Sequence, residues 1–142
     1  MDDKKVHRDI QILLSLKRQG AIRDVDWNID GIDNWIIIYG AAKLPERRFS
    51  YPDFNLKLPI PADLYEPKGG GKYGYYGYLL IDSDLRVRVG NEWRPIARQF
   101  PDMNPKEAAK GWSFLCLYPH DVDEGTDIRA LIPIVQEWII SS

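Results

Sequence analysis

The chain has 142 residues, of which 44% are hydrophobic and 28% charged, and its formal net charge is -2. These values are typical of one globular domain rather than of a disordered or membrane-embedded protein. The slightly negative charge gives no general support for nucleic-acid binding, and no uncharged apolar run approaches the roughly 18 residues of a membrane-spanning helix. We therefore predict a single domain over residues 1–142 that binds neither nucleic acid nor membranes.

The predicted compartment follows from cysteine usage and from the amino-terminal sequence. The chain has a single cysteine, Cys116, which cannot form an internal disulfide. The sequence "MDDKKVHRDI" lacks the apolar core of a signal peptide. We therefore expect a cytoplasmic protein whose thiol stays reduced.

The first predicted element is a helix over residues 3–19. Asp2 or Asp3 can cap its start, and Gly20 is placed to end it in a left-handed conformation. One face of this helix is marked by residues at three- and four-residue intervals, which are Val6, Ile10, Leu13, Leu14 and Lys17.

Segments with strand character follow the helix and predict an antiparallel meander of about four strands. They are rich in β-branched and aromatic residues or alternate apolar with polar side chains, as half-buried strands do. A turn is predicted near residues 82–84, and an irregular stretch over residues 91–105. The strand-like segments are residues 22–29, 35–39, 54–61, 78–89 and 112–118.

The segment "YEPKGGGKYGYYGY" (65–78) interleaves glycines with aromatic residues and lysines, which predicts a mobile loop. It partly matches a phosphate-binding loop, but Lys72 is followed by Tyr73 instead of the serine or threonine that would bind magnesium. The alternatives that remain are an adaptable contact surface and an insertion without a partner.

The last predicted element is a helix over residues 126–140, with Thr126 as its amino-terminal cap. Pro133 is expected to kink this helix or to restrict its regular part to the residues on one side of the proline. The residues expected to face inward are Ile128, Leu131, Ile132, Val135, Trp138 and Ile139. The predicted fold class is α+β, with an amino-terminal helix and a carboxy-terminal helix packed on one antiparallel sheet.

Few chemistries are compatible with the residues present. The two histidines are far apart in sequence and form no recognised zinc-binding spacing with the lone cysteine. A nucleophilic serine in a G-x-S-x-G turn does not occur. Cys116 therefore remains as the candidate nucleophile.

Cys116 lies near the end of a predicted strand and precedes Pro119, His120 and an acidic turn, a position where a reactive group can be rigidly held and still reached. An imidazolium at His120 would lower the pKa of the thiol. Alternatively, His120 only binds the carboxylates of the turn, and Cys116 is a small buried apolar residue. The alternation of side chains in "FLCLY" does not decide whether the Cys116 side chain is reachable or buried, because both faces of this strand are apolar.

Over nearly the whole chain, the order of elements resembles the ubiquitin-conjugating enzyme (UBC) superfamily, in particular its divergent prokaryotic members, and two segments carry the more specific part of this resemblance. "LPIPADLYEP" (58–67) resembles the proline-rich segment after the third strand. "GWSFLCLYPHDVDEGTDIRALIPIVQEWI" (111–139) resembles the cysteine-bearing segment, the following turn and the next helix. The resemblance implies a UBC-like fold, with Cys116 carrying a ubiquitin-like protein as a thioester and Leu117 matching the leucine that often follows the nucleophile.

The sequence also departs from the family pattern. The His-Pro-Asn motif before the cysteine is missing, and Asn104 is the nearest upstream asparagine. Residues 122–124 stand where the family has Trp-Ser-Pro. Proximity in sequence makes His120 and Asp121 the candidate general bases for removing a proton from the incoming amine.

The resemblance implies three partners: a ubiquitin-like protein, an activating enzyme and a deconjugating peptidase of the same pathway. It implies acyl transfer without a metal or organic cofactor. The basic residues of the first helix that resemble the surface offered to the activating enzyme are Lys4, Lys5, Arg8 and Lys17. The alternative function is a catalytically inactive domain of the same shape that binds a ubiquitin-like protein or scaffolds a conjugation complex.

Overall fold

The computed structural model describes residues 3–60, 67–68, 72–73, 79–97, 99–100, 103, 105–115 and 127–142. The helices are α1 (Asp3–Arg18), α2 (Pro105–Ala108) and α3 (Ile128–Ile140). The strands are β1 (Asp24–Asn28), β2 (Asn34–Lys43), β3 (Asp53–Ile60), β4 (Pro67–Lys68), β5 (Lys72–Tyr73), β6 (Leu79–Asp82), β7 (Arg86–Val89), β8 (Glu92–Pro95), β9 (Gln99–Phe100) and β10 (Trp112–Leu115). The predicted α+β class, with an amino-terminal helix, an antiparallel sheet and a carboxy-terminal helix, is confirmed.

The main sheet has six antiparallel strands in the order β1-β2-β3-β6-β10-β9, so the prediction of about four strands is too low. Five of these strands overlap the predicted strand-like segments, although β2 extends to Lys43, four residues beyond the predicted segment 35–39. The sixth, β9, has only two residues, too few to show a period of two in the sequence.

Strands β7 and β8 form a separate two-stranded ribbon. The turn predicted near residues 82–84 separates β6 from β7 as expected. The stretch 91–105 is not simply irregular, because it contains β8, β9 and the start of α2. All four residues of β8 are exposed, so this strand lacks the apolar alternation that would have identified it.

Helices α1 and α3 share one hydrophobic core with a single face of the main sheet. Residues of one parity in each strand supply that face, as the alternation of side chains requires. The helical residues of this core are Val6, Ile10, Leu13, Ile128, Leu131, Ile132, Val135 and Ile139, and the sheet residues include Ile36, Ile38, Leu56, Leu58, Leu79, Ile81 and Leu115. Trp138 is partly buried against the same core.

The carboxyl end of α1 has the predicted glycine termination. Gly20 has a φ of 75°, in the left-handed region. The Gly20 amide donates to the Lys17 carbonyl at 3.0 Å, and the Ala21 amide donates to the Leu16 carbonyl at 2.9 Å. These two bonds satisfy carbonyls that a helix end would otherwise leave open.

Helix α3 differs from the prediction at its start and at its proline. Asp127 is the amino-terminal cap instead of Thr126, which lies outside the described residues. Pro133 does not confine the regular part of the helix to one side, because α3 continues to Ile140. Pro133 and Arg129 are both exposed, so water can hydrate the Arg129 carbonyl that the missing proline N–H leaves open.

Within the segment predicted as a mobile loop, the structure describes only β4 and β5, which pair with each other in antiparallel fashion. The remaining residues of 65–78 lie outside the described part of the chain. Among the described helices, none is long and apolar enough to cross a membrane.

Candidate functional site

The predicted site residues Cys116, His120 and Asp121 lie outside the described residues. Leu117 and Asn104 lie outside them as well. We call residues 116–126, which contain the predicted site residues, the site segment. The structure describes the two elements on either side of it, which are strand β10 up to Leu115 and helix α3 with its cap Asp127. The geometry of these two anchors defines the frame of the site.

Strand β10 holds the amino-terminal end of the site segment. It pairs with β6 along its whole length and with β9 at Phe114 and Leu115. The Leu115 side chain is fully buried in the core. Because Leu115 is fixed by neighbours on both sides and by core packing, the segment that follows starts from a rigid point.

The two faces of β10 differ in character. Ser113 and Leu115 are fully buried and lie on the face toward α1 and α3, whereas Trp112 and Phe114 occupy the opposite face and are partly buried. The Ser113 hydroxyl is buried, and within the described part of the chain no hydrogen-bond partner is found for it. A hydroxyl so enclosed does not meet an incoming acyl group, which makes Ser113 unsuitable as a substitute nucleophile.

Helix α3 holds the other end of the site segment. The Asp127 carboxylate accepts hydrogen bonds from the Arg129 amide at 2.9 Å and the Ala130 amide at 3.3 Å. Burial raises the pKa of this carboxyl, but the hydrogen bonds from the Arg129 side chain and from the two amides outweigh burial and lower it. The Ile128 amide donates to the buried Asp9 of α1 at 3.4 Å, so the start of α3 is tied to the first helix.

A buried ion pair lies on the sheet face shared with Trp112. Lys57 Nζ is 2.7 Å from Glu107 Oε2, and the two side chains are only 6% and 14% exposed. Lys57 Nζ also lies 5.8 Å from the ring centroid of Trp35 and 6.0 Å from that of Trp112. The carboxylate and the two aromatic faces together stabilise the ammonium group away from water.

Helix α2 is attached to the sheet through this ion pair, and a cavity of about 160 Å³ opens beside it. The cavity is bounded by the β1–β2 turn, β3 and α2. On its rim, Lys106 Nζ lies 3.3 Å from Asp33 Oδ2, with both side chains largely exposed. The buried pair could not be predicted from the sequence, because Lys57 occupies an ordinary polar position of an alternating strand.

A polar network joins β2, β3 and β6 next to the Lys57–Glu107 ion pair, since Asn55 is two residues from Lys57 and Asp82 pairs with Trp112. The backbone amide of Asn55 donates to Asp82 Oδ2, and the side-chain Nδ2 of Asn55 donates to Asp82 Oδ1, both at 2.8 Å. The Asn55 side-chain oxygen accepts from the Gly40 amide at 2.9 Å and from Arg23 at 3.1 Å. Burial raises the pKa of Asp82 more than its bonds with Asn55 lower it, and the nearby Asp84 raises it further.

The basic surface expected on α1 is only partly present. Lys4, Arg8 and Lys17 are exposed, but Lys5 is 2% exposed and cannot belong to a contact surface. Lys5 and the fully buried Asp9 are one helical turn apart on the inner side of α1. The expectation that Lys5 belongs to the basic contact surface is therefore wrong. Its side chain is buried by tertiary packing, which the helical spacing of the sequence did not predict.

No group of three or more His, Cys, Asp or Glu side chains placed to hold a metal ion occurs in the described ranges. Comparison of the chain with protein-family models gives no match, and neither curated protein sequences nor solved structures show significant similarity to it. The likeness to conjugating enzymes therefore rests on the order of elements and on residues 58–67 and 111–139.

Proposed function

We propose that this chain is a ubiquitin-conjugating-like acyl carrier and transferase. It receives the carboxyl terminus of a ubiquitin-like protein from an activating enzyme as a thioester on Cys116 and passes the acyl group to a target. The observation that carries this proposal is the attachment of the site segment. The described part of β10 ends at the buried Leu115, between β6 and β9, and the described chain resumes at Asp127, the cap of α3.

The alternation of β10 supports an outward thiol. Leu115 points to the core, and Phe114 lies on the opposite face. Continuation of this alternation by one residue predicts that the side chain of Cys116 is directed away from the core. An acyl-carrying cysteine requires that orientation, since the thiol must meet a flexible protein terminus.

The loading step is a thioester exchange. The Cys116 thiolate attacks the carbonyl carbon of the ubiquitin-like protein's terminal residue, which is held as a thioester on the activating enzyme. A carbon–sulfur bond to Cys116 forms, the carbon–sulfur bond to the activating enzyme breaks, and that enzyme's sulfur leaves as a thiolate. A protonated His120 would favour the thiolate form of Cys116 by lowering the thiol pKa.

The transfer step consumes the thioester. An amine of the target attacks the same carbonyl carbon, a carbon–nitrogen bond forms, and Cys116 departs as a thiolate. The amine loses one proton, which His120 or Asp121 accepts as general base. We assign the general-base role to these two residues because they are close to Cys116 in sequence and because the chain lacks the His-Pro-Asn motif of the family it resembles.

A charging assay tests the proposal. The chain is mixed with ATP, a candidate ubiquitin-like protein and its activating enzyme, and the products are separated with and without reducing agent. We expect an adduct that reducing agent removes, that is lost in Cys116→Ala, and that becomes resistant to reducing agent in Cys116→Ser because an oxyester replaces the thioester. Failure to form an adduct with a partner set that loads another carrier would contradict the proposal.

The general-base assignment has a separate test. The loaded chain is exposed to free lysine, and discharge is followed in a single turnover for wild type and for the His120→Ala, Asp121→Ala double variant. Both chains are first loaded to completion, because His120 also favours the thiolate during loading, and we expect the double variant to discharge more slowly by about 10²-fold or more, as for loss of a general base. Undiminished discharge by the double variant would remove both residues from the mechanism.

Thiol labelling separates the transferase from the catalytically inactive alternative. Because Cys116 is the sole cysteine, the labelling rate of the folded chain reports on this residue alone. A transferase requires modification under native conditions. Protection of Cys116 until the chain is denatured would leave only a binding or scaffolding role.

A further inference from the structure

Strand β1 forms one edge of the main sheet, and most of it is open to solvent. In the described part of the chain it pairs with β2 alone. Four of its five residues are exposed, and the fifth, Val25, belongs to the core. An exposed edge strand offers unpaired amides and carbonyls, which makes it a template for another strand.

The backbone groups of Val25 and Trp27 point to this outer edge. The Tyr39 carbonyl of β2 accepts from the Arg23 amide at 2.9 Å, so the Tyr39 backbone faces β1. The register partner of Tyr39 is Asp24, whose backbone therefore faces β2. Because backbone direction alternates along an antiparallel strand, Val25 and Trp27 direct their amides and carbonyls away from β2.

Both outward amides are already occupied by side chains of β1 itself. The Val25 amide donates to Asp24 Oδ1 at 2.8 Å, and the Trp27 amide donates to Asp26 Oδ1 at 2.9 Å. Hydrogen bonds to an ionised carboxylate are stronger than those between neutral groups. An incoming strand would have to displace both carboxylates before it could pair with this edge.

The first helix holds the Asp24 carboxylate in its charged form. Lys17 Nζ of α1 lies 2.9 Å from Asp24 Oδ1. The hydrogen bond from Lys17, together with the bond from the Val25 amide, lowers the pKa of Asp24. Asp24 is therefore ionised at neutral pH and remains a charged acceptor for the edge amide.

A second copy of the chain fits this edge by symmetry. In antiparallel β1–β1 pairing about a two-fold axis, the outward groups of Val25 in one copy meet those of Trp27 in the other. This register places Asp26 directly opposite Asp26 of the second copy, on the face away from the core. Like charges that are directly opposite destabilise an antiparallel pair. The carboxylates therefore oppose self-pairing both by occupying the amides and by mutual repulsion.

We propose that Asp24 and Asp26 block the edge of β1 against a second copy of this chain, and that loss of both carboxylates opens the edge to antiparallel β1–β1 pairing. Without the carboxylates, the Val25 and Trp27 amides can donate to the Trp27 and Val25 carbonyls of the second copy. Two side chains thus keep a self-complementary edge from associating. This proposal is independent of the acyl-transfer function.

The test is sedimentation velocity over a series of protein concentrations, with far-UV circular dichroism to verify that each variant is folded. The Asp24→Ala, Asp26→Ala double variant removes both acceptors and both charges. The Asp24→Asn, Asp26→Asn double variant removes the charges, keeps an acceptor oxygen at each position and matches the wild-type side chains in size. The control is Asp30→Ala, Asp33→Ala, which makes the same change in net charge at exposed positions between β1 and β2.

A proline substitution tests whether the association uses the backbone of β1. Trp27→Pro, added to the Asp24→Ala, Asp26→Ala variant, removes an outward amide without removing a bond to β2. Trp27→Ala in the same background removes the indole but keeps the amide. We expect the variant with proline to lose the association and the variant with Trp27→Ala to retain it.

We expect the Asp24→Ala, Asp26→Ala variant to dimerise with a dissociation constant at least about tenfold lower than that of wild type, which is the effect of one charge-assisted hydrogen bond that no longer competes. The asparagine variant should associate less than the alanine variant and more than wild type. Three results would each overturn the proposal: folded double variants that are as monomeric as wild type, equal association in the Asp30→Ala, Asp33→Ala control, or association that persists with Trp27→Pro.

Discussion

Lys57 of β3 and Glu107 of α2 form an ion pair at 2.7 Å, fifty positions apart in sequence and largely shielded from water. The pair is flanked by the rings of Trp35 and Trp112. Since α2 directly precedes β10, the contact fixes the path of the chain into the strand that leads to Cys116. The short helix has four residues and could not hold this position through its own hydrogen bonds.

Breaking this ion pair should strongly destabilise the fold. Glu107→Gln removes the negative charge and leaves the Lys57 ammonium buried, which costs about 3 kcal/mol or more of unfolding free energy. The Lys57→Met, Glu107→Leu double variant should recover most of that loss, because apolar side chains of similar size need no charge partner. Urea denaturation monitored by tryptophan fluorescence measures both effects.

The exposed pair of Lys106 and Asp33 provides the matched control. Asp33→Asn should change the free energy of unfolding by less than about 1 kcal/mol, since surface ion pairs contribute little. Equal losses in Glu107→Gln and Asp33→Asn would show that burial does not strengthen the Lys57–Glu107 contact.

Two glycines with positive φ should respond differently to alanine. At Gly20, with φ of 75°, an added Cβ meets no atom within 4 Å, so Gly20→Ala should cost only the backbone strain of about 1 kcal/mol. At Gly40, with φ of 58°, the Cβ would lie 2.9 Å from Arg23 Cβ. Gly40→Ala should therefore lower the free energy of unfolding clearly further, and equal costs in denaturant titrations would contradict this.

The capping carboxylate of α3 should give a pH-dependent contribution to stability. Asp127→Ala removes the acceptor for two amides and should cost about 1 kcal/mol at neutral pH. Because folding lowers the Asp127 pKa below its unfolded value of 3.8, the charge stabilises the fold above that value, and this stabilisation is lost as pH falls through the folded pKa. The advantage of wild type over Asp127→Asn in denaturant titrations should therefore shrink at low pH; an advantage independent of pH would argue against a role for the charge.

Asp82 should show the opposite pH dependence. Burial raises its pKa above the unfolded value of 3.8, so its contribution is greatest below that value and is lost as pH rises through the folded pKa. The free energy of unfolding of wild type, relative to Asp82→Asn, should fall as pH increases from strongly acidic toward neutral. A relative stability that rises over this range would mean that Asn55 compensates the carboxylate more than burial penalises it.

The sequence predicted those elements whose signal is local. Three- and four-residue spacing located α1 and most of α3, and a glycine after a helical pattern located the end at Gly20. The choice between Thr126 and Asp127 as the cap of α3 could not be made from sequence, because adjacent residues of both types are good caps. Strands of two to four residues without alternation, such as β8 and β9, were missed for lack of a periodic pattern.

Features that depend on distant partners could not be predicted. Asp9 is buried beside the start of α3, and its bond with the Ile128 amide joins positions 119 residues apart. Lys57 is buried because Glu107 and two tryptophans converge on it from other elements. The orientation of Ser113 was equally undetermined, because both faces of its strand are apolar in sequence. Cys116 itself lies outside the described residues, so its role stays a prediction.

The most direct test of acyl transfer is to locate the acyl group by mass spectrometry. Cys116→Ser is loaded with the ubiquitin-like protein, activating enzyme and ATP, and the oxyester product is digested under acidic conditions that preserve the ester. We predict the carboxyl-terminal remnant of the ubiquitin-like protein on the peptide that contains position 116, and on no peptide from Cys116→Ala. A remnant found only on lysines, or equally abundant in both variants, would contradict the assignment of Cys116 as the acyl carrier.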